Sequence, residues 1–351
     1  MPRVFIIADD LTGALDSAVA FAAPGCLVVV ARGAEAVPGA LARAPDVLAV
    51  ATASREIAPE VARARVAEVL STLPLDDFDI VMKKIDSRLK GNTGPETEVL
   101  AEAMNSPRVI VSPAIPDMER IVRHGALTGS GVAEPIDVAA RFLRPVEVPE
   151  VASDTDLDGC VSGAAQRVLW VGARGLALAL SRSLGLRATQ PPALDAPVLI
   201  VSGSRDPVTL AQLDALKGEV AVQEAPDGGV PEVSSAEALA LSISEGGAGL
   251  DGAEAASRYA QGILRVAQEL EPRSLLICGG ETAHAVLDQM RVGSLEVTAE
   301  LRPGLPLCRI EASWGPLHLV TKSGGFGAPG LLRDILRELR AGQAGTEGHC
   351  A

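Results

Sequence analysis

The stretch Val4–Ala23, VFIIADDLTGALDSAVAFAA, indicates an α/β fold. Val4–Ala8 is a short run of apolar and β-branched residues, which is typical of a buried strand in a parallel sheet. Asp9 and Asp10 follow in a glycine-bearing loop, and the remainder is apolar enough for a buried helix. Such a loop lies at the carboxyl edge of the sheet, where open α/β folds bind ligands. Helix capping would explain one of its polar residues, but two adjacent aspartates favour a ligand role.

The same alternation continues along the chain. Further strands are predicted at 27–31, 47–51, 80–82, 109–112, 168–171, 198–201, 275–278 and 317–321. Helices are predicted at 59–73, 95–104, 176–184 and 206–216, with two more that end at 270 and 290. From Gly129 to Asp158 the pattern is irregular. Gly185–Pro197, GLRATQPPALDAP, is the candidate interdomain linker. We therefore predict an α/β protein of two domains, 1–190 and 191–345, each with a mostly parallel sheet flanked by helices.

A polar loop, Met82–Glu96 (MKKIDSRLKGNTGPE), follows one of these strands. The chain has five lysines, and three of them, Lys83, Lys84 and Lys90, fall within eight residues of this loop. Ammonium groups suit phosphate or carboxylate ligands. A solvated basic turn is the alternative, and the residues of the loop alone do not decide between the two.

Composition limits the classes of partner. The 351 residues carry a net charge of −14, with 48% hydrophobic and 2% aromatic residues, which argues against a nucleic-acid partner and against anionic membrane surfaces. The five cysteines (Cys26, Cys160, Cys278, Cys308 and Cys350) form no CxxC pair and are expected to be reduced thiols. No signal peptide and no apolar segment of membrane-spanning length is visible, so we expect a cytoplasmic location.

Three glycine-bearing loops follow strands in the second half of the chain: Ser202–Ser204, Gly279–Thr282 and Lys322–Gly327. Backbone N–H groups at helix N-termini bind phosphate well. Three such loops in one domain predict a nucleotide phosphate site, with Glu281 able to hold a metal ion through water. None of the loops is a Walker A or Rossmann motif, so this site is expected to be non-standard.

Together, the loops resemble those of the four-carbon acid sugar kinase family from residue 4 to about 332. The motifs that carry the resemblance are DDLTGA (9–14), KIDSRLKGN (84–92), PAIP (113–116), Gly203-Ser204, GGET (279–282), Pro303-Gly304 and KSGGFG (322–327). Each motif is common by itself, but their order and spacing are specific to the family.

The resemblance implies an N-terminal domain that binds a sugar acid and a C-terminal domain that binds ATP with Mg²⁺. The γ-phosphoryl group would pass to the terminal hydroxyl of a threonate, erythronate or 3-oxo-tetronate, with Asp10 or Asp86 as the catalytic aspartate. The implied substrate residues are Asp9, Asp10, Asp86, Arg88, Lys90 and Asn92. The implied nucleotide residues are Ser204, Gly279, Gly280, Glu281, Thr282, Lys322, Gly324, Gly325 and Gly327, and the metal ligands stay open.

The chain departs from the family at several of these positions. Arg88 replaces a common threonine, Lys90 replaces an arginine, and Glu119–Val122 stands where a glycine, an arginine and threonines are usual. Gly325 and Gly330 replace an asparagine and an aspartate. The alternatives are therefore a catalytically altered sugar-acid or nucleotide sensor, a kinase for another small hydroxy acid, or a dinucleotide-dependent dehydrogenase. A homo-oligomer also stays open.

Overall fold

A computed structural model describes residues 1–105, 108–162, 168–233 and 236–347, so Cys350 lies outside the described residues. The chain forms two compact units. The first comprises Met1–Thr189 and Gly293–Thr298, and the second comprises Gln190–Val292 and the chain from Ala299 onward. In the described ranges no helix is long and apolar enough to cross a membrane.

The first unit is built on a mostly parallel sheet. Its strands are β1 (Val4–Ala8), β2 (Val28–Ala31), β3 (Val47–Ala51), β4 (Ile80–Lys84), β5 (Arg108–Ser112), β6 (Arg120–Arg123), β7 (Ala126–Gly129), β8 (Ile136–Asp137) and β9 (Val168–Gly172). Its helices are α1 (Leu11–Ala18), α2 (Val37–Ala42), α3 (Pro59–Ser71), α4 (Thr93–Ala103), α5 (Asp154–Ser162) and α6 (Arg174–Ser183). The sheet order is β2-β3-β1-β4-β9-β5, all parallel, and residues 294–297 pair antiparallel with β2.

The register of this sheet aligns the ends of its central strands. Ala8 of β1 pairs with Ala51 of β3 and with Lys84 of β4, and Lys84 pairs with Gly172 of β9. Every residue of β1 and β3 is buried, as expected for strands covered by helices on both faces. The loops that follow β1, β3 and β4 therefore leave the sheet at one edge.

A small antiparallel sheet, β6-β7-β8, follows β5. The sequence pattern predicted no strand here, and the interpretation of 129–158 as irregular was wrong for β8 and for α5. The strands are only two to four residues long, so they offer too little alternation for a pattern to be recognised.

The second unit has its own mostly parallel sheet. Its strands are β10 (Val198–Ser202), β11 (Ala221–Pro226), β12 (Ala238–Ser244), β13 (Ser274–Cys278), β14 (Ser294–Arg302, from residue 299), β15 (Leu305–Ala312) and β16 (Gly315–Lys322), and its helices are α7 (Pro207–Leu216), α8 (Gly252–Leu270), α9 (Gly280–Gln289) and α10 (Leu331–Glu347). The strands β11-β12-β10-β13-β16 are parallel, and β15 is antiparallel to β16. The predicted fold class is confirmed, although β11, β12, β14 and β15 were not predicted.

Candidate functional site

An aspartate–arginine network lies at the carboxyl edge of the first sheet. Arg55, from the loop after β3, donates from Nε to Asp9 Oδ2 at 2.9 Å and from Nη2 to Asp9 Oδ1 at 2.8 Å. Its Nη1 lies 2.9 Å from Asp10 Oδ2. Burial would raise the pKa of Asp9, but the Arg55 hydrogen bonds and the charges of Lys83, Arg55 and Lys84 outweigh it and lower the pKa. Asp9 is therefore a fixed carboxylate that is charged at neutral pH.

Asp10 has both carboxylate oxygens occupied. As the N-cap of α1 it accepts from Gly13 N on Oδ1 at 2.8 Å, and its Oδ2 accepts from the Thr12 hydroxyl at 2.8 Å. With Arg55 added, three of the roughly four acceptor sites of this carboxylate are used, so the group orients its neighbours and has little room for a further hydrogen bond.

Adjacent lysines of β4 point to opposite faces of the sheet, because side chains alternate along a strand. Lys83 Nζ lies 2.6 Å from Glu96 Oε2 of α4, with both side chains 1% exposed. Glu96 Oε1 also accepts from Ser54 Oγ at 2.5 Å. Lys83 is thus held in a buried structural ion pair.

Lys84 lies on the other side, toward the first turn of α1. A Cβ at Gly13 would lie 2.9 Å from Lys84 Nζ and would overlap Asp10 Oδ1. The residue is 5% exposed, and within the described part of the chain its ammonium group has no hydrogen bond and no carboxylate at ion-pair distance. A nearly buried cation without a direct partner at a polar sheet edge is suited to an anionic ligand.

The 86–92 turn is shaped by its own polar groups. Asp86 Oδ1 accepts from Arg88 N at 2.9 Å and from Lys90 N at 3.4 Å, and the Lys90 side chain is exposed. Asn92 Nδ2 donates to Ser54 O and Ile57 O, both at 2.9 Å. Asn92 therefore braces the loop that carries Arg55, and both of its amide hydrogens are used in doing so.

Arg120 reaches this turn from β6. Its Nη1 donates to Ser87 Oγ at 2.8 Å and its Nε donates to Ser130 O at 2.8 Å. The charge of Asp86 acts on both Arg120 and Arg55, so these groups belong to one site. Six cations and four carboxylates meet here in a protein whose net charge is −14; they are Arg55, Lys83, Lys84, Arg88, Lys90 and Arg120 with Asp9, Asp10, Asp86 and Glu96.

The second unit contains a cavity of about 730 Å³ formed at strand-to-helix loops. It is lined by 203–205 after β10, by 279–282 at the start of α9, and by 243–252 before and at the start of α8. Ser204, Gly279, Gly280, Glu281 and Thr282 all take part, which brings five of the sequence-predicted nucleotide residues together.

Glycine is required where two of these loops meet. A Cβ at Gly203 would overlap the Thr282 hydroxyl, so only glycine allows Thr282 its position. Gly279 has φ +110°, which disfavours other residues. The backbone can thus approach a ligand closely at the N-terminus of α9, as phosphate groups require.

The third predicted loop does not line this cavity. Lys322 Nζ is turned into the protein and donates to Thr209 Oγ1 at 2.9 Å and to the carbonyls of Ser323, Gly324 and Phe326 at 2.9, 3.0 and 3.2 Å. Burial lowers the Lys322 pKa, and the charge of Asp206 partly opposes this effect. Lys322 therefore shapes the loop instead of presenting its charge at the cavity.

The glycines of this loop act in the same way. A Cβ at Gly324 would lie 2.5 Å from Ser204 Oγ, and one at Gly325 would lie 3.0 Å from Asp206 Oδ2. Gly327, with φ +89°, begins the turn into α10. The loop packs against Ser204. It therefore affects the cavity by fixing the position of Ser204, which lines it.

The charges around the cavity fit a nucleotide only together with a cation. Its lining includes Arg205 and the four carboxylates Asp227, Glu245, Asp251 and Glu281. Arg205 Nη1 lies 3.5 Å from Glu245 Oε1. In the described residues no three His, Cys, Asp or Glu side chains form a metal cluster. Such a lining suits Mg²⁺, which usually takes one or two carboxylates together with substrate phosphates.

Several residues of the two sites were not predicted from sequence. In the first unit these are Arg55, which follows β3, and Arg120, which begins β6. In the second unit they are Arg205, which follows β10, and Asp227, which follows β11. The signal that could have found Arg55 is its place just after the end of a parallel strand, where Asp9 had already been recognised. Asp227 fixes the cavity loop by accepting from Gly246 N at 3.0 Å and from Ala248 N at 2.7 Å.

The fold and the two sites define an α/β protein with a cluster of cations and carboxylates at the sheet edge of one unit and a glycine-loop cavity in the other. Residues 4–155 match the family model described as a sugar-binding N-terminal domain, and residues 232–332 match the one described as a nucleotide-binding C-terminal domain.

Curated relatives match over nearly the whole chain. A D-threonate kinase of Bordetella bronchiseptica is 30% identical, covering 98% of this chain and 97% of the relative. A 3-oxo-tetronate kinase of Pseudomonas fluorescens is 25% identical and covers 98% of both chains. The chain belongs to the four-carbon acid sugar kinase family, and it is a kinase.

Solved structures confirm the fold alone. A Salmonella typhimurium protein described as a tRNA synthase has a TM-score of 0.78 at 19% identity, covering 96% of this chain and all of that one. A Haemophilus influenzae protein has a TM-score of 0.72 at 17% identity, covering 95% and 100%.

Proposed function

We propose that this kinase transfers the γ-phosphoryl group of ATP, with Mg²⁺, to the terminal hydroxyl of a four-carbon sugar acid of the threonate, erythronate or 3-oxo-tetronate type. The observation that carries the proposal is the Lys84 ammonium, nearly buried and with no direct partner in the described part of the chain, beside the fixed Asp9–Arg55–Asp10 network. The positive charge of Lys84 can attract an anionic substrate into the site, and the neighbouring carboxylates can orient the hydroxyls of a small polyol acid.

The glycine-loop cavity supports the nucleotide half of the proposal. Its backbone N–H groups at α9 and the Thr282 hydroxyl suit phosphate oxygens. Glu281 and Asp227 are the carboxylates that we assign to the hydration shell of Mg²⁺, which offsets charge on the phosphates when bound.

We assign the catalytic aspartate to Asp86, the alternative to Asp10 in the sequence interpretation. Asp10 already accepts from Gly13, Thr12 and Arg55. Asp86 uses Oδ1 in its turn, and its Oδ2 has no hydrogen bond among the described residues. Asp86 can therefore accept or orient the substrate hydroxyl proton, while Asp10 positions the start of α1.

The test is Mg²⁺-dependent ADP release from ATP with D- and L-threonate, D- and L-erythronate and 3-oxo-tetronates, with larger aldonates as controls. Release with a four-carbon acid supports the proposal, and release only with a larger acid refutes the four-carbon assignment. Asp86→Asn should lower kcat by about 100-fold or more with ATP affinity unchanged, whereas Asp10→Asn should retain more turnover. The opposite ranking would assign the base to Asp10.

The free cysteines support a reducing compartment, and we propose the cytoplasm. Cys26, Cys160, Cys278 and Cys308 form no disulfide in the described residues. Burial raises the pKa of both Cys26 and Cys278 to about 11, so these thiols are protonated and unreactive at neutral pH.

A further inference from the structure

Two arginines from separate segments border the same open space. Arg88 lies in the turn after β4 and Arg120 at the start of β6. A Cβ at Gly131 would lie 3.5 Å from Arg120 Nη2 and 3.9 Å from Arg88 Nη1. Gly131 has φ +75°, so the glycine both permits the turn and leaves this space unfilled.

Neither guanidinium is neutralised by a direct ion pair. Arg120 is held by Ser87 Oγ and Ser130 O, which are neutral acceptors, and in the described ranges its Nη2 donates to no other group. The Arg88 side chain has no hydrogen bond and no ion pair among the described residues. Both residues are partly buried.

The like charges affect each other. Burial lowers the Arg120 pKa and Arg88 lowers it further, while Asp86 partly opposes them. Holding two partly buried cations together costs free energy, and an anion between them would recover it. The forked geometry of guanidinium matches a carboxylate, which accepts two parallel hydrogen bonds.

We propose that Arg88 and Arg120 bind the carboxylate of the sugar acid across Gly131, and that Arg88 is a specificity residue by which this chain selects the acid over uncharged analogues. The inference rests on the proposed function.

The start of β6 is built to aim Arg120. Glu119 has φ +56°, in the left-handed region. A Cβ at Gly129 would overlap Glu119 O, so the two backbones touch. Arg120 then leaves this turn toward Ser87 and is fixed before any ligand arrives, whereas Arg88 is free to close on the ligand.

The test is calorimetric binding of D-threonate and D-erythronate, each compared with its uncharged amide, without ATP. Wild type should bind the acid at least about 100-fold more tightly than the amide, since the amide has no negative charge and only one acceptor oxygen for the two guanidiniums. Arg88→Thr should weaken acid binding by about 10- to 100-fold and leave amide binding within about 3-fold. Arg88→Lys should recover only part of the loss, because an ammonium group cannot form the fork.

Arg123→Thr is the matched control. It removes one positive charge at an exposed position of β6, the strand that also carries Arg120, and should leave the ratio of acid affinity to amide affinity unchanged. An unchanged ratio in Arg88→Thr, or a wild type that binds neither acid, overturns the inference. Failure of the proposed function is separate, because it would appear as acid binding with no ADP release from ATP.

Discussion

Replacing Lys83 or Lys84 by methionine should have opposite consequences for stability and function. Lys83 and Glu96 form an ion pair at 2.6 Å with both side chains 1% exposed. Lys83→Met leaves the Glu96 carboxylate buried without its counter-charge. Breaking a buried pair in this way costs about 3–5 kcal/mol, and a melting point shifts about 2–4 °C per kcal/mol in a unit of this size. We expect a loss of roughly 6–20 °C in the first unit.

Lys84→Met removes a cation that is 5% exposed and has no direct partner in the described residues. The attraction of Lys84 to Asp9 is lost, but the cost of burying an ammonium group is lost as well. The free energy of unfolding should stay within about 1 kcal/mol of wild type, while turnover with sugar acids should fall by about 100-fold or more, because Lys84 no longer attracts the anionic substrate.

Urea unfolding followed by circular dichroism measures the first effect, and ADP release measures the second. A double variant, Lys83→Met with Glu96→Leu, should recover much of the stability, because the orphaned carboxylate is removed too. The reasoning is refuted if Lys83→Met unfolds within 1 kcal/mol of wild type, or if Lys84→Met is the less stable of the two single variants.

Three further predictions concern single groups of the two sites. The folded-state pKa of Asp9 is lowered. The charged Asp9 therefore stabilises the fold fully above its unfolded-state pKa of about 4, and this stabilisation is lost as the pH falls through the folded-state pKa. When the free energy of unfolding is measured against pH, its decrease in acid should be less steep in Asp9→Asn than in wild type. Lys322→Met should destabilise the second unit by about 1–3 kcal/mol, because three carbonyls and a hydroxyl lose their donor, whereas exposed Lys217→Met should change the unfolding free energy by less than about 0.5 kcal/mol. Gly203→Ala should raise the Kd for ATP by about 5- to 100-fold, because the added methyl group overlaps the Thr282 hydroxyl. In a Thr282→Ala background, the same change should raise the Kd little further. If titration calorimetry shows that the two losses of ATP affinity add, the contact is contradicted.

Short-range sequence patterns predicted the buried parallel strands of the fold. Apolar runs such as Val4–Ala8 and Val47–Ala51 match β1 and β3 residue for residue, because a strand buried on both faces needs no partner to be recognised. β14 was missed although its residues alternate between buried and partly exposed over nine positions. Its apolar positions are interrupted by Glu296 and Glu300, so the continuous-run criterion that found the parallel strands did not apply to it.

Of the candidate site, the sequence predicted only the residues that directly follow the end of a strand. Asp9, Asp10 and the 84–92 loop follow β1 and β4, so the rule for sheet edges was enough to group them. Whether Lys83 or Lys84 faces the site could not be obtained from sequence. The period of two places them on opposite faces, but the choice depends on which face carries the helix with Glu96, and that is a contact across 13 residues.

Arg120 shows where this limit lies. It reaches the site from a short antiparallel sheet that has no recognisable pattern, and it is aimed there by Ser87, 33 residues away. Nothing in the residues around Arg120 distinguishes it from Arg123, which lies on the same strand and is exposed. The roles of the two arginines are set by tertiary hydrogen bonds alone. For that reason the motifs supplied Arg88, which lies in the 84–92 loop, but not Arg120, and the acid-to-amide ratio in Arg88→Thr and Arg123→Thr tests the proposed pair.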